Sequence, residues 1–419
     1  MAEPYRPRVV DGELAARLGS AGAVLIEGPR ACGKTATGRH YAASEVLLDV
    51  DAALRSAAEL EPGLVLDGPA PRLIDEWQSV PSIWNHVRRA ADTGGGPGRF
   101  ILTGSAMPPD DATRHTGAGR VSRLRMRPMS LFESGHSTGE MSLGAMLRSK
   151  LMPARHHHTT VTDLVELVCR GGWPGMLGAT TNDSQRFVRD YLEEIRRADL
   201  RRVDGVRRDP VLVRRVLQSL ARNVATEAAV SVIAADAGGN AGPLHPETVQ
   251  GYLNALERVF VIEDQPAWSA HLRSRSRLRK SPKRHFVDPS LAVAALRSGP
   301  DHLRADLESF GLLFESLVVR DLRVYSQTHD AEVYHYRDNT GLEVDAIVET
   351  AGGAWIGVEI KLGGERLVEE GVKNLLKLRG RVDPDRNTPP AALVVVVGVG
   401  HGYRRPEGVT LVPITALGP

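Results

Sequence analysis

Short apolar runs alternate with helix-period stretches through the first third of the chain. Ala23-Val24-Leu25-Ile26 is apolar at every position, as a strand buried on both faces of a parallel sheet must be. Val46-Leu47-Leu48-Asp49-Val50, Leu73-Ile74-Asp75-Glu76 and Phe100-Ile101-Leu102-Thr103-Gly104-Ser105 repeat the pattern, and Val121 to Met129 can form a fifth strand. Between them Thr35 to Ala43 can be helical. Ile83, Trp84, Val87 and Ala90 make one stripe of a second helix over Ser79 to Ala91. Alternation of this kind predicts an α/β sheet with helices on both faces over residues 1–130.

The pattern then changes twice. Residues 131–204 read as mostly helical: Leu143 to Leu151, Thr160 to Arg170 and Ser184 to Asp199, interrupted by Gly171-Gly172-Trp173-Pro174-Gly175. We expect a helical lid over the first segment. Residues 205–287 predict helices at Pro210 to Arg222, Glu227 to Ala235 and His245 to about Val259, then strands Phe260 to Glu263 and His285 to Asp288. Three helices and a hairpin make a winged helix. Residues 288–419 predict a further α/β domain. It has a helix over Asp306 to Val324, strands Glu332 to Tyr336, Leu342 to Glu349 and Ala354 to Lys361, a helix Glu365 to Arg379, and a valine-rich strand from Ala391.

Composition narrows the class. A length of 419 residues implies several domains, and a net charge of +2 creates no global field for nucleic acid. Two cysteines, Cys32 and Cys169, make neither a disulfide framework nor a zinc site and fit a reducing cytosol. No apolar run approaches the ~20 residues of a membrane helix, and Met1 to Gly12 does not read as a signal peptide. The expected location is cytoplasmic, with no membrane partner.

Chemistry concentrates at Gly28-Pro29-Arg30-Ala31-Cys32-Gly33-Lys34-Thr35, a G-x-x-x-x-G-K-T phosphate-binding loop between a strand and a helix. Its glycines let backbone N–H groups close on phosphate oxygens at a helix N-terminus. Lys34 would reach the β- and γ-phosphates of ATP, and Thr35 would bind Mg²⁺. Sheets of this type hold ligands at the carboxyl ends of their strands, where Asp75, Glu76, Thr103 and Ser105 fall. Asp75 would hold Mg²⁺ through water and Glu76 would act as general base on the attacking water. Thr103 or Ser105 either senses the γ-phosphate or simply ends the strand. Arg120, before the fifth strand, is the candidate to reach the nucleotide of a neighbouring subunit, which would require a homo-oligomer. Arg123, Arg125 and Arg127 compete with it, and a solvated basic face is the alternative for each.

Two further features carry partner inferences. The run from Arg273 to Arg284 is the densest basic stretch, and a basic wing would attract DNA phosphates; a solvated loop is the alternative. In the last segment Glu315 lies on a helix, Asp345 on one strand, and Glu359 and Lys361 on the next, pointing the same way. This is the D…(E/D)-x-K arrangement of metal-dependent nucleases, in which Asp345 and Glu359 would hold Mg²⁺ and the lysine would orient water. A nuclease-like fold that keeps these residues only as a binding platform is the alternative. His156-His157-His158, with no acid or cysteine at ligand spacing, reads as an exposed loop.

The sum of motifs resembles prokaryotic AAA-type ATPases with a C-terminal nuclease-like domain. The resemblance rests on Gly28 to Thr35, L-I-D-E-W-Q at Leu73 to Gln78, L-T-G-S at Leu102 to Ser105, and G-G-W-P-G at Gly171 to Gly175. It continues through Phe314 to Leu317, Gly341 to Glu349 and Val358 to Lys361. It implies ATP binding and hydrolysis, a winged-helix segment and a PD-(D/E)xK-like fold, with Arg120 at the family's arginine-finger position. Two functional expectations follow: an ATPase coupled to DNA binding or processing, or an ATPase switch with a silent C-terminal domain, as in a defence or toxin–antitoxin regulator. A nucleotide-binding scaffold without turnover is disfavoured by the intact Lys34, Asp75 and Glu76.

Overall fold

A computed structural model of the chain describes residues 5–50, 52–93, 96–106, 116–150, 159–200, 205–270, 280–383 and 387–419. His156 to His158 and Arg273, Arg275, Arg277 and Arg279 lie outside the described residues. Packing divides the chain into two compact units: Met1–Pro128 with Ala198–Arg207 and Ala255–Phe260, and Met129–Arg197 with Arg208–Asn254 and Val261–Pro419. Of the segment 131–204 read from the sequence as a lid, residues 131–197 thus cluster with the C-terminal residues.

In the first unit, strands β1 (Ala23–Glu27), β2 (Ser44–Leu47), β3 (Arg72–Asp75), β4 (Phe100–Gly104) and β5 (Val121–Arg125) form one parallel sheet of order β2-β3-β4-β1-β5. Side-chain alternation splits its apolar residues between two cores. Ala23, Leu25, Ile74, Phe100 and Leu102 face Trp77, Trp84 and Val87, whereas Val24, Ile26, Leu73, Ile101 and Leu124 pack with Val10, Leu14 and Cys32. The helices are α1 (Asp11–Leu18), α2 (Lys34–Tyr41), α3 (Ala52–Leu60), α4 (Gly63–Leu66) and α5 (Ile83–Asp92). β1 lies between β4 and β5, so the loop that follows it opens where the connections diverge, the usual ligand crevice of such sheets.

The second unit pairs β6 (Met141–Ser142) with β13 (Leu417–Gly418) in parallel and is built on a six-stranded mixed sheet of β7 (Ala331–Arg337), β8 (Glu343–Thr350), β9 (Trp355–Lys361), β10 (Ala392–Val397), β11 (Tyr403–Arg404) and β12 (Val409–Pro413). β7, β8 and β9 pair antiparallel, and β9, β10 and β12 pair parallel. The helix Glu365–Arg381 buries Val368, Val372, Leu375 and Leu378 with Leu393, Val395 and Val397. The helix Leu307–Ser326 is capped by Asp306, which accepts from the Ser309 N–H at 3.0 Å.

The G-G-W-P-G stretch has a packing role. A Cβ on Gly172 would lie 2.0 Å from the Met129 carbonyl oxygen, and one on Gly171 2.4 Å from Ser290 Oγ. The Gly172 N–H and the Arg320 guanidinium both donate to buried Asp288, and Trp173 Nε1 donates to Ser290 Oγ. Side chains of any size are excluded from this close approach.

One local expectation fails. Phe260 to Glu263 and His285 to Asp288 do not form strands; only isolated antiparallel bridges join Ile262 to Phe286 and Gln265 to Lys283. Phe260 adopts φ 57, outside the extended region, and Asp288 already caps the helix Pro289–Ala295 by accepting from the Ser290 N–H. Pro266 and Pro282 supply no N–H to a ladder.

Candidate functional sites: a phosphate-binding loop and a buried acid–lysine chain

The loop between β1 and α2 takes its shape from backbone positions that tolerate no side chain. A Cβ on Gly28 would lie 2.0 Å from the Met126 carbonyl oxygen, and Gly33 caps α2 at φ 102. Arg8 supports the loop: its buried guanidinium donates to the carbonyls of Cys32 and Arg127, each at 2.8 Å. Nothing in the local sequence marks Arg8, since its partners are distant in the chain. Lys34 is buried and its ammonium donates to the Pro29 carbonyl at 2.8 Å, inside the loop it would share with phosphates.

The ends of β3 and β4 close on α2. Thr35 Oγ1 donates to Asp75 Oδ1 at 2.8 Å, and Thr103 also donates to that oxygen. The Glu76 N–H donates to Thr103 Oγ1 at 3.1 Å, which orients the residue after the strand. Glu76 itself sits at φ 51, an unusual left-handed conformation for a non-glycine residue, of the kind that clusters at functional sites. Ser105 Oγ donates to Glu76 Oε2 at 2.9 Å, and the Gln78 amide donates to the same oxygen. Gln78 is a site residue that the sequence placed only inside a motif. Gly104 lets Trp77 and Gln78 approach, because a Cβ there would lie 3.0 Å from Trp77 Nε1.

Arg120 is not brought to this loop. It precedes β5 at the strand's amino end, where its carbonyl accepts from the Ala23 N–H, and its side chain pairs with Asp92 on α5. The loop follows the opposite end of β1, about 16 Å away at ~3.3 Å per strand residue. Arg123 pairs with Glu27 at 2.9 Å, and Arg125 lies over the Phe260 ring.

In the second unit the expected acids converge, but through lysines. Lys283 Nζ lies 2.6 Å from Glu315 Oε1 and 3.6 Å from Asp345 Oδ1. Lys361 Nζ lies 3.3 Å from Asp345 Oδ2 and 2.7 Å from Glu359 Oε2. The result is an alternating chain, Glu315–Lys283–Asp345–Lys361–Glu359. Among the described residues no group of three or more His, Cys, Asp or Glu side chains is arranged to hold a metal ion. Asp345 also accepts from the Ile360 N–H at 2.8 Å, and Glu359 from Asn374 at 3.2 Å.

Burial and charge divide the acids. Burial pushes the Glu315 carboxyl up to about 7 against the pull of Lys283. Burial, then the Asp345 charge, lift Glu359 well above the carboxylate range. Burial acts the same way on Asp345, but Lys283, Lys361 and the Ile360 N–H outweigh it and hold this acid below its ordinary value. Both lysines are held protonated, since their carboxylates outweigh the effect of burial.

Lys283 is the residue that sequence reasoning misassigned. It stands in the basic run expected to be a solvated, DNA-facing wing, yet it is 5 % exposed and committed to internal acids. Arg284 is likewise buried and paired with Asp264. Two backbone hydrogen bonds between Gln265 and Lys283 draw this end of the run inward. Gln265 in turn donates to the carbonyls of Tyr334 and Asp345.

A parallel five-stranded sheet with a G-x-x-x-x-G-K-T loop after β1, and paired acids at the end of β3, defines a P-loop nucleotide-binding domain of the ATPase class. Comparison with known proteins agrees for this segment: residues 20–134 match the family model of an AAA domain. Residues 161–302 and 310–417 match two families described as Domain of unknown function (DUF8612) and Domain of unknown function (DUF4143). The chain is 26% identical over 349 residues to the uncharacterized protein Rv2008c of Mycobacterium tuberculosis, covering 81% of this chain and 70% of that one. The same figures hold for the uncharacterized protein Mb2031c of Mycobacterium bovis. Among solved structures, the Walker-type ATPase PABY2304 of Pyrococcus abyssi aligns with a TM-score of 0.40 and 13% identity, over 70% of this chain and 99% of that one. No described helix is long and apolar enough to cross a membrane.

Proposed function

We propose that the protein hydrolyses ATP at the Gly28–Thr35 loop and couples its nucleotide state to nucleic-acid binding by the rest of the chain. The observation that carries the ATPase reading is the fixed carboxylate of Glu76. Ser105 and Gln78 both donate to Oε2, so Oε1 is the oxygen that can take a proton from an attacking water. Lys34 and the loop N–H groups bind the phosphates. Thr35 and Asp75, oxygen donors 2.8 Å apart, fit a hard divalent cation, and Mg²⁺ held by them would neutralise phosphate charge. Arg120, remote from its own loop, would serve the nucleotide of a second copy in a homo-oligomer.

A second reading applies to the C-terminal domain. Its acids were expected to hold Mg²⁺ for DNA cleavage, but Lys283 and Lys361 already supply cations at Glu315, Asp345 and Glu359. This favours a catalytically silent domain that binds protein or DNA over a nuclease.

Phosphate release by the purified full chain with ATP and Mg²⁺ tests the first reading. Glu76→Gln should keep nucleotide binding and lower turnover by about 100-fold or more, the scale of a general base. Turnover at the wild-type rate in this variant would remove Glu76 from the mechanism. DNA integrity scored in the same tubes tests the second reading: metal-dependent cleavage lost in Asp345→Asn would restore the nuclease.

A further inference from the structure

A cavity of about 460 Å³ opens among the helices of the second unit, a volume suited to a small ligand. Among the described residues, Arg189, Arg196, Arg197, Arg214 and Arg297 line it, with the acids Asp190 and Glu193. Few of these cations are used locally. Arg196 and Arg197 share one oxygen of Glu193. The side chains of Arg189, Arg214 and Arg297 form no ion pair with a described residue. The Arg196 side chain is 8% exposed, and its Nε is buried with no hydrogen-bond partner among the described residues. A buried donor left unmatched is costly unless a partner arrives.

The backbone carries two irregularities at the same place. Arg196 and Arg197 belong to a π-helical turn, Ile195–Asp199, at the end of the helix Thr181–Glu194; such turns recur at functional sites. Arg297 follows the helix Pro289–Ala295 at φ 55. There the Arg297 N–H donates to the Ala294 carbonyl and the Ser298 N–H to the Val293 carbonyl, each at 3.1 Å. This is the helix-ending position at which glycine is preferred. An arginine there is sterically disfavoured, and a cation one turn earlier would answer the helix dipole without that strain. Gln218 continues the wall into a second cavity of about 610 Å³, lined by Arg215 and Arg222.

We propose that this arginine-lined cavity binds a phosphate ester of nucleotide size, separately from the Gly28–Thr35 loop. Guanidiniums match phosphate oxygens in pairs of parallel hydrogen bonds, and the excess of cations over acids suits an anion with more than one charge. The phosphate can belong to a free nucleotide or to a nucleotide unit of a single strand; the chemistry of recognition is shared.

The full chain carrying Lys34→Ala, which weakens phosphate binding at the loop, separates the two sites. Adenosine monophosphate is titrated by calorimetry, and a short fluorescein-labelled oligothymidylate by anisotropy. Arg297→Gly should weaken the bound probe about tenfold, the size of one charge-assisted hydrogen bond. Adding Arg189→Gln and Arg214→Gln should abolish binding. The melting temperature of Arg297→Gly should hold or rise, because glycine relieves the left-handed position. Loss confined to the monophosphate marks a free nucleotide, and loss confined to the oligothymidylate marks a strand. Failure of both probes to bind, or affinities unmoved by the three substitutions, would overturn the proposal.

Discussion

Replacing Lys283 with methionine tests whether the acid–lysine chain is a self-contained structural device. The ammonium lies 2.6 Å from Glu315 and 3.6 Å from Asp345. At an effective dielectric constant of about 20 those separations correspond to attractions of ~6 and ~5 kcal/mol. Desolvation of the buried lysine offsets much of this. What the substitution exposes is the other half of the balance: two buried carboxylates lose their shared cation, and breaking such a pair costs about 3–5 kcal/mol. Urea denaturation followed by circular dichroism at pH 8 should therefore show a transition of the second unit displaced by that amount. The double variant Lys283→Met, Glu315→Gln should recover a large part of the loss, because the carboxylate nearest the lysine is then neutral. A loss below about 1 kcal/mol, or no recovery in the double variant, would show that Lys283 does not balance the acids. Mg²⁺ added to Lys283→Met should restore stability only if the vacated acids accept a divalent ion, which would bring the nuclease reading forward.

Two further outcomes follow from the geometry. Gly28→Ala should abolish ATP binding and lower the melting temperature, at a cost of about 1–3 kcal/mol, because its Cβ would press on the Met126 carbonyl oxygen at 2.0 Å; wild-type affinity in a nucleotide-binding titration would refute the loop geometry. Burial raises the Glu315 carboxyl to about 7, so the folded chain holds a proton that the unfolded chain releases near pH ~4.3. Its contribution is present below that range and is lost as the pH rises towards 7, so Glu315→Gln should flatten the fall in melting temperature between those limits. A slope identical to that of the wild type would show that Glu315 does not titrate there.

Much of the nucleotide site was legible because its determinants are local. A buried strand, a glycine-bearing loop and a helix start are contiguous from Ala23 to Tyr41, and each is set by apolar runs and backbone tolerance that a linear text records. Asp75, Glu76 and Ser105 end apolar runs, so topology alone carries them to one sheet edge. Arg8 and the clasp of Gln78 on Glu76 and Ser105 depend on partners that sequence spacing does not name.

The C-terminal site divides the same way. Strand alternation places Glu359 and Lys361 on one side of β9, and helix and strand patterns locate Glu315 and Asp345. Nothing local distinguishes Lys283 from the basic residues before it. Local charge density reads the run as solvated, whereas pairing with Gln265 carries Lys283 between a helix and a strand that lie far along the chain. Phe260 shows the converse: an apolar strand-like run loses its extended form at φ 57. Periodicity and backbone tolerance act over a few residues, so the sequence alone determined the five strands of the first sheet and the phosphate loop. A charge has no preferred partner until packing sets its distance and dielectric, and so only the tertiary structure decided which acids meet metal-like cations and which arginines are left for a ligand.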